Sequence, residues 1–332
     1  MHIIKYIIII TVCFCMALFL YQTDFKSVFG TLSAVGFSAL LVFPLTAFAY
    51  YLGTLSWQVL LAESSQKINT FRLFFIRQVG ETVGLFNPTS IVGGDLTKVY
   101  YLQKYQISER SAANSVVSSR MTMILSQILL ATIALIWLLY QTGETDWMTN
   151  TRTALYILLF VLCTVQIGLF YWIYRPHYIA PSLVQEMTAT GRIDRLKNKM
   201  LLILSDLKTT VRADRKAFIL SYSLALLHWV VGSLEFFLIL SFLGIDLAIM
   251  QAVLMDMGVI LIKSVGAFIP GQIGVEEFGN KIVLAAIGVQ SGVIWLSISL
   301  LRRSRQLVWA LVGCIAYFFF SKQIKPPYVV HE

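Results

Sequence analysis

Charge is scarce in this chain. Asp, Glu, Lys and Arg make up 13% of its 332 residues, against 58% apolar residues and a mean hydropathy of +0.75. A soluble domain carries about 25% charged and about 45–50% apolar residues, so no stretch reads as a separate soluble domain. Cysteine is scarce as well. Cys13, Cys15, Cys163 and Cys314 all lie inside apolar runs, which excludes a disulfide framework and leaves them as small interior or lipid-facing residues. A P-loop, a nucleophile elbow, a zinc pattern and an acidic pair placed for a metal and a sugar nucleotide are all missing. The expectation is therefore no catalytic residue, no metal, no cofactor and no energy-coupling ATPase domain.

Long apolar runs are what the chain does have. Runs near 20 residues, enough to cross a bilayer, cover about 3–21, 34–61, 112–140, 153–174, 217–243 and 292–320. Two more apolar segments are interrupted: 70–106, broken between Asn87 and Gly94, and 248–290, broken between Ile269 and Gly274. The expected fold is an all-α polytopic membrane protein, one integral domain over 1–332. It divides into a first half (1–174), a basic connector (175–216) and a second half (217–332).

Loop charges set the expected orientation. The net charge of +9 reads as cytoplasmic loops facing anionic lipid, not as nucleic-acid binding. The connector, rich in Arg and Lys, belongs inside, and so does 62–80 with Lys67, Arg72 and Arg77. The count closes with both termini cytoplasmic if each interrupted segment enters and leaves on one side. That gives about six full spans plus two re-entrant broken-helix hairpins in inverted repeat, a recurring plan in secondary transporters. The stretch 182–212 mixes Leu, Ile and Met with basic residues; it fits the membrane surface and fits packing against the bundle equally well.

Non-helical backbone is tolerated at membrane depth only against protein or water, so the two breaks point to an internal cavity. "GGD" before "LTKVYYLQK" has the form of a helix start with Asp95 as N-cap. Gly274 leads into a second start, with Glu276 and Glu277 in its first turn. Free N–H groups at such starts favour an anion such as phosphate, although the carboxylates compete for the same positive end. The plainer readings are capping for the acids and close packing for Gly93 and Gly94.

Several cations stand where a bilayer objects: Arg120, Lys263, and Arg302, Arg303 and Arg305 in the last span. A charge at the bilayer centre costs roughly 2.5–3.5 kcal/mol on insertion scales. Carboxylate partners or a wet cavity are needed, unless the arginines snorkel to a surface. Glu276 and Glu277 suit the late cluster, and Asp95 suits Arg120 or Lys98. His228 and Glu235, seven apart, share a helix face; they read as a proton-linked pair or, more plainly, as an interior His with a satisfied ring.

Taken together, "GLFNPTSIVGGDLTKVYYLQK", "ISERSAANSVVSSR", "FIPGQIGVEEFGNKIVLAAIGV" and "SISLLRRSRQLVWALVG" resemble the flippase-like family that includes the transmembrane region of lysylphosphatidylglycerol synthetases and their stand-alone relatives. The resemblance runs from about residue 5 to 320. Asp95 stands where Glu is more frequent in that family, and Lys98 where Arg is common. The resemblance implies movement of a polar-headed, phosphate-bearing lipid between leaflets of the cell membrane: a phospholipid, an aminoacylated lipid or a polyprenyl-linked glycan. Charging such a lipid would fall to a separate lipid-modifying enzyme. The implied substrate-binding set is Asn87, Pro88, Gly93, Gly94, Asp95, Lys98, Arg120, Pro270, Gly271, Gly274, Glu276, Glu277, Arg302 and Arg305. Arg120 and Arg302 are expected at the phosphate. Three other readings stand beside the flippase. One is a membrane-embedded lipid-linked sugar transferase, one an ion-coupled carrier of a soluble anion, and one an accessory subunit.

Overall fold

A long apolar helix that contains small residues packs closely against another such helix, and residues 42–59 show how. The computed structural model describes residues 30, 33, 35–61, 66–86, 90–141, 149–175, 208, 211, 214–266, 269, 272 and 274–323. Helix α1 (Val42–Val59) follows a short 3-10 turn over Gly36–Leu41. Its Pro44 lies in the first turn, where a missing N–H costs nothing. Its buried face carries Ala49, Gly53, Thr54 and Ser56. That face lies on α6 (Arg215–Phe242), the most extensive helix pairing among the described residues. Ser56 donates to the Ser221 carbonyl at 2.8 Å, and the Ser221 hydroxyl meets Thr122 at 3.2 Å. Small residues and hydroxyls of this kind drive helix association where lipid removes any hydrophobic incentive.

The order of elements repeats. After α1 come a helix pair, α2 (Thr70–Phe86) and α3 (Ser90–Gln103), then a long helix α4 (Glu109–Gln141) and α5 (Thr149–Tyr174). After α6 come a second pair, α7 (Ile249–Val265) and α8 (Val275–Ala286), then the long helix α9 (Gly292–Gln323). The fold is all-helical among the described residues. Four segments, Gly36–Val59, Glu109–Gln141, Arg152–Tyr174 and Arg215–Phe242, are long and apolar enough to cross a membrane. Helix α9 is as long, at 32 residues, but carries three arginines within four positions. Members of the two pairs have 12 to 17 residues; at 1.5 Å per residue they reach roughly 18–26 Å, short of a hydrocarbon core of about 30 Å.

Local signals explain the ends. Asp214 caps α6, accepting from the Ala217 N–H at 2.9 Å. Gly244, at φ +74°, closes it with the Ile245 N–H on the Leu240 carbonyl at 2.9 Å, a left-handed C-terminal stop that glycine takes without strain. The expected first span, most of the connector, Cys13, Cys15, and the breaks at Asn87, Pro88, Pro270 and Gly271 lie outside the described residues; Cys163 and Cys314 are free thiols, half-buried in α5 and α9.

The hydrophobic core is divided in the same way as the element order. Leu73, Ile76, Leu102 and Val116 join α2, α3 and the start of α4 in one cluster. Phe236, Met255, Leu284 and Ile298 join α6, α7, α8 and α9 in another. Apolar contacts also cross between the halves: Ala316 and Phe320 of α9 join the first cluster, and Leu130 and Ala134 of α4 pack with Val253 and Met257 of α7.

Candidate functional site

Each half places a charged group of its helix pair against an arginine of its long helix. In the first half, Asp95 of α3 takes a two-pronged contact from Arg120 of α4, with Nη2 to Oδ1 at 2.7 Å and Nε to Oδ2 at 3.2 Å. Lys98, one turn on from Asp95, bridges back to it at 3.3 Å and reaches Glu81 of α2 at 2.7 Å. Arg77, four residues before Glu81, turns the other way. It donates to the Tyr50 carbonyl of α1 at 2.8 Å and lies 5.3 Å from the centre of the Tyr50 ring. This approach needs Gly53, because a Cβ there would stand 3.0 Å from the Arg77 guanidinium.

A cavity of about 120 Å³ opens among these groups, walled by Arg77, Glu81, Asp95, Lys98 and Arg120 together with Trp57, Val116, Ser119, Met123, His228 and Trp229. That is room for several waters at about 10–15 Å³ each. Arg77, Lys98 and Arg120 outnumber Glu81 and Asp95, so the wall carries one cation in excess. Among the described residues Arg77 has no carboxylate within ion-pair distance. His228 Nδ1 meets the Ala49 carbonyl at 2.6 Å, as a donor from a protonated nitrogen. A neutral ring then keeps its second nitrogen as an acceptor.

The second half is arranged differently. Arg302 of α9 is 5% exposed and lies among three buried carboxylates: Asp256 of α7 at 3.1 Å, Glu276 of α8 at 3.4 Å and Glu235 of α6 at 3.8 Å. Its guanidinium also sits 4.0 Å from the centre of the Phe236 ring. Arg305 contacts Glu235 at 2.6 Å as an ion pair whose N–H is not aimed at the oxygen, and it donates to the Tyr50 hydroxyl at 2.7 Å. Arg303 forks onto Glu277 at 2.7 and 3.2 Å, and Lys263 holds Glu276 at 2.9 Å. Four cations meet four carboxylates, and the charge is balanced. A buried charge that has lost its partner is strongly destabilising, so this cluster binds α6, α7, α8 and α9 to one another.

Several expectations need correction. Helix α3 begins at Ser90, so Gly93, Gly94 and Asp95 lie inside it and Asp95 does not cap it. Gly94 serves close packing: a Cβ there would stand 2.5 Å from the Gly80 carbonyl oxygen of α2. Arg77 sits in the middle of α2 instead of in a loop. Of the two readings of His228 the plainer one holds: it is an interior histidine whose ring is satisfied by the Ala49 carbonyl at the first-half cavity, while Glu235 joins the second-half cluster. At Gly274, with φ +82°, α8 does begin as the sequence indicates, but its N-terminus is taken by its own acid. Glu277 accepts the Gly274 N–H at 2.8 Å.

Of the sequence-derived residues, the structure therefore brings Asp95, Lys98 and Arg120 to the cavity, and Glu276, Glu277, Arg302 and Arg305 to the balanced cluster. Gly93 and Gly274 are backbone positions of helices without a side chain to offer. Arg77, Glu81, Tyr50, Asp256 and the two tryptophans were not singled out by the sequence. The opposite charges Arg77 and Glu81, four apart in a largely apolar helix, are the signal that points to the first two.

Comparison with known proteins gives one family. Neither the curated proteins nor the solved structures contain a match. The family described as the lysylphosphatidylglycerol synthase TM region matches residues 3–313. That range includes both charge clusters, both helix pairs and every long helix but the last residues of α9. The chain is a multi-pass membrane protein and belongs to the family of the lysylphosphatidylglycerol synthase transmembrane region.

Proposed function

We propose that this protein, as a member of a family associated with lipid handling, is a lipid flippase that carries a phosphate-bearing lipid between leaflets. The observation that carries this reading is the one excess cation that the cavity wall holds among the described residues, Arg77, with Lys98 and Arg120 beside it. A lipid phosphate would complete the charge balance, since arginine forks and an ammonium group are the donors that phosphate geometry accepts best. Glu81, whose side chain is half exposed, would release Lys98 to the incoming anion. Trp57 and Trp229 give the same cavity apolar walls that suit the glycerol or prenyl end of a headgroup.

In this reading the two short helix pairs are re-entrant hairpins, one from each face, and both termini lie on the cytoplasmic side. Short broken helices that meet near the midplane are a recurring plan in transporters. The balanced cluster keeps the second hairpin fixed to α9, and the cavity opens alternately to each side by movement between the halves. An ion-coupled carrier of a free anion would use the same excess cation, so the test must separate the two.

Purified protein in vesicles is given a fluorescent phospholipid, a lipid-linked sugar phosphate, or inorganic phosphate outside. The flippase predicts leaflet exchange of at least one lipid, falling about tenfold or more in Arg120→Gln, with no phosphate uptake. Phosphate uptake without lipid exchange would overturn it in favour of the carrier.

A further inference from the structure

A second hollow lies between α1 and α9, of about 330 Å³, walled by Phe43, Pro44 and Ala47 on one side and Val308, Trp309 and Val312 on the other. These are matching stripes at helical spacing, three and four residues apart. The single polar group in the wall is satisfied, because the Trp309 ring N–H donates to the Thr46 hydroxyl at 3.0 Å. One turn further along each stripe the chemistry changes: Tyr50 follows Ala47 on α1, and Arg305 precedes Val308 on α9, with Arg305 donating to the Tyr50 hydroxyl. Within a helical turn, about 5.4 Å, the groove passes from wholly apolar to cationic.

The Tyr50 ring touches a residue of each hollow, Trp309 of the groove and Arg77 of the cavity wall. On the groove side it meets the Trp309 ring edge-on, with centroids 5.1 Å apart. On the cavity side the Arg77 guanidinium lies 5.3 Å from its centre. The groove therefore leads toward Arg77, the cavity cation that has no carboxylate within ion-pair distance among the described residues. An apolar slot ending at an unbalanced cation has the profile of an anionic amphiphile.

We infer that the groove between α1 and α9 seats a hydrocarbon chain of the lipid whose phosphate occupies the cavity, so that the substrate enters sideways between these two helices, past Tyr50. The inference rests on the flippase reading and adds the route and the tail site to it. Helix α5 supplies the contrast. Its Ile157, Phe160 and Ile167 are exposed and line neither hollow, as expected of a face that touches bulk lipid.

The test uses the full-length protein in phosphatidylcholine vesicles with a small fraction of phosphatidylglycerol bearing a photoreactive group at the end of one acyl chain. After illumination, labelled peptides are mapped. The groove predicts at least fivefold more label on the Phe43–Ala47 and Val308–Val312 segments than on α5, with that excess removed by unlabelled phosphatidylglycerol and by Arg77→Gln. Equal labelling of all three, insensitive to competition, would mean bulk lipid only and would overturn the inference. A second variant, Ala47→Trp, fills the groove without touching the charges, and leaflet exchange should fall at least fivefold. If the wild type exchanges lipid and Ala47→Trp exchanges it at the same rate, the groove is not the route although the flippase stands. If the wild type exchanges no lipid at all, the flippase reading fails and takes the groove with it.

Discussion

In the first half of the molecule three cations face two carboxylates around a cavity; in the second, four face four, and Arg302 is left 5% exposed. Both are built from the same parts, a long-helix arginine against an acid from a short helix pair. One missing carboxylate separates them. Charges held in a bilayer are expensive, and complete pairing offsets that cost within the protein itself. Incomplete pairing leaves a site whose balance, in the proposed function, a lipid phosphate restores. Tyr50 touches both clusters, through its ring and carbonyl to Arg77 and through its hydroxyl to Arg305, so the two clusters share one residue of α1.

The sharpest way to break this contrast is Arg302→Ala. It strands Asp256 and takes a shared cation from Glu235 and Glu276, and loss of one partner of a buried pair costs about 3–5 kcal/mol. Thermal unfolding of the detergent-solubilised protein, followed by tryptophan fluorescence, should show a large drop in midpoint or no cooperative transition. A near-wild-type midpoint would mean that the cluster does not hold the second half together.

Arg77→Gln is the corresponding change in the first half, with the opposite pattern. It should leave thermal stability close to wild type, because no carboxylate is stranded. Leaflet exchange should fall about tenfold or more, since a charged hydrogen bond contributes about 1.5–3 kcal/mol and 1.4 kcal/mol is a factor of ten. Gly53→Ala should act in the same direction but less, by several-fold, because the new Cβ pushes the Arg77 guanidinium away from α1. Glu81→Gln is expected to have the smallest effect and the reverse sign. Removing a half-exposed carboxylate changes the local balance by about 1 kcal/mol or less. Affinity for an anionic lipid, read as half-saturating lipid fraction in the exchange assay, should rise a few-fold.

Much of the fold is legible in the sequence because hydropathy is a local property. Residues 112–140, 153–174 and 217–243 are apolar runs, and helices α4, α5 and α6 cover them within a few residues. The two interrupted segments are marked by Pro and Gly and do form helix pairs. Gly93 and Gly94 mislead because a glycine pair signals a break and a close contact equally well, and only the approach of Gly80 shows which applies. Partner choice is less legible still. Asp95 sits three residues from Lys98 and 25 from Arg120, yet Arg302 finds Asp256 and Glu235 46 and 67 positions away. Those pairings depend on how helices cross, and that is set by small residues and packing across the whole chain. Arg77 is hidden for a similar reason: in sequence it reads as one more basic residue near a helix start, and its role appears only where it meets Gly53 and Tyr50.

The most direct test of the account compares two single-charge changes in one assay. Leaflet exchange of phosphatidylglycerol is measured for Arg77→Gln and Arg303→Gln, each normalised to folded protein in the vesicle. The account predicts a loss of about tenfold or more for Arg77→Gln, and exchange within about twofold of wild type for Arg303→Gln, whose arginine only completes a balanced cluster. Loss in Arg303→Gln with full exchange in Arg77→Gln would place the phosphate in the second half and contradict the assignment of the two clusters.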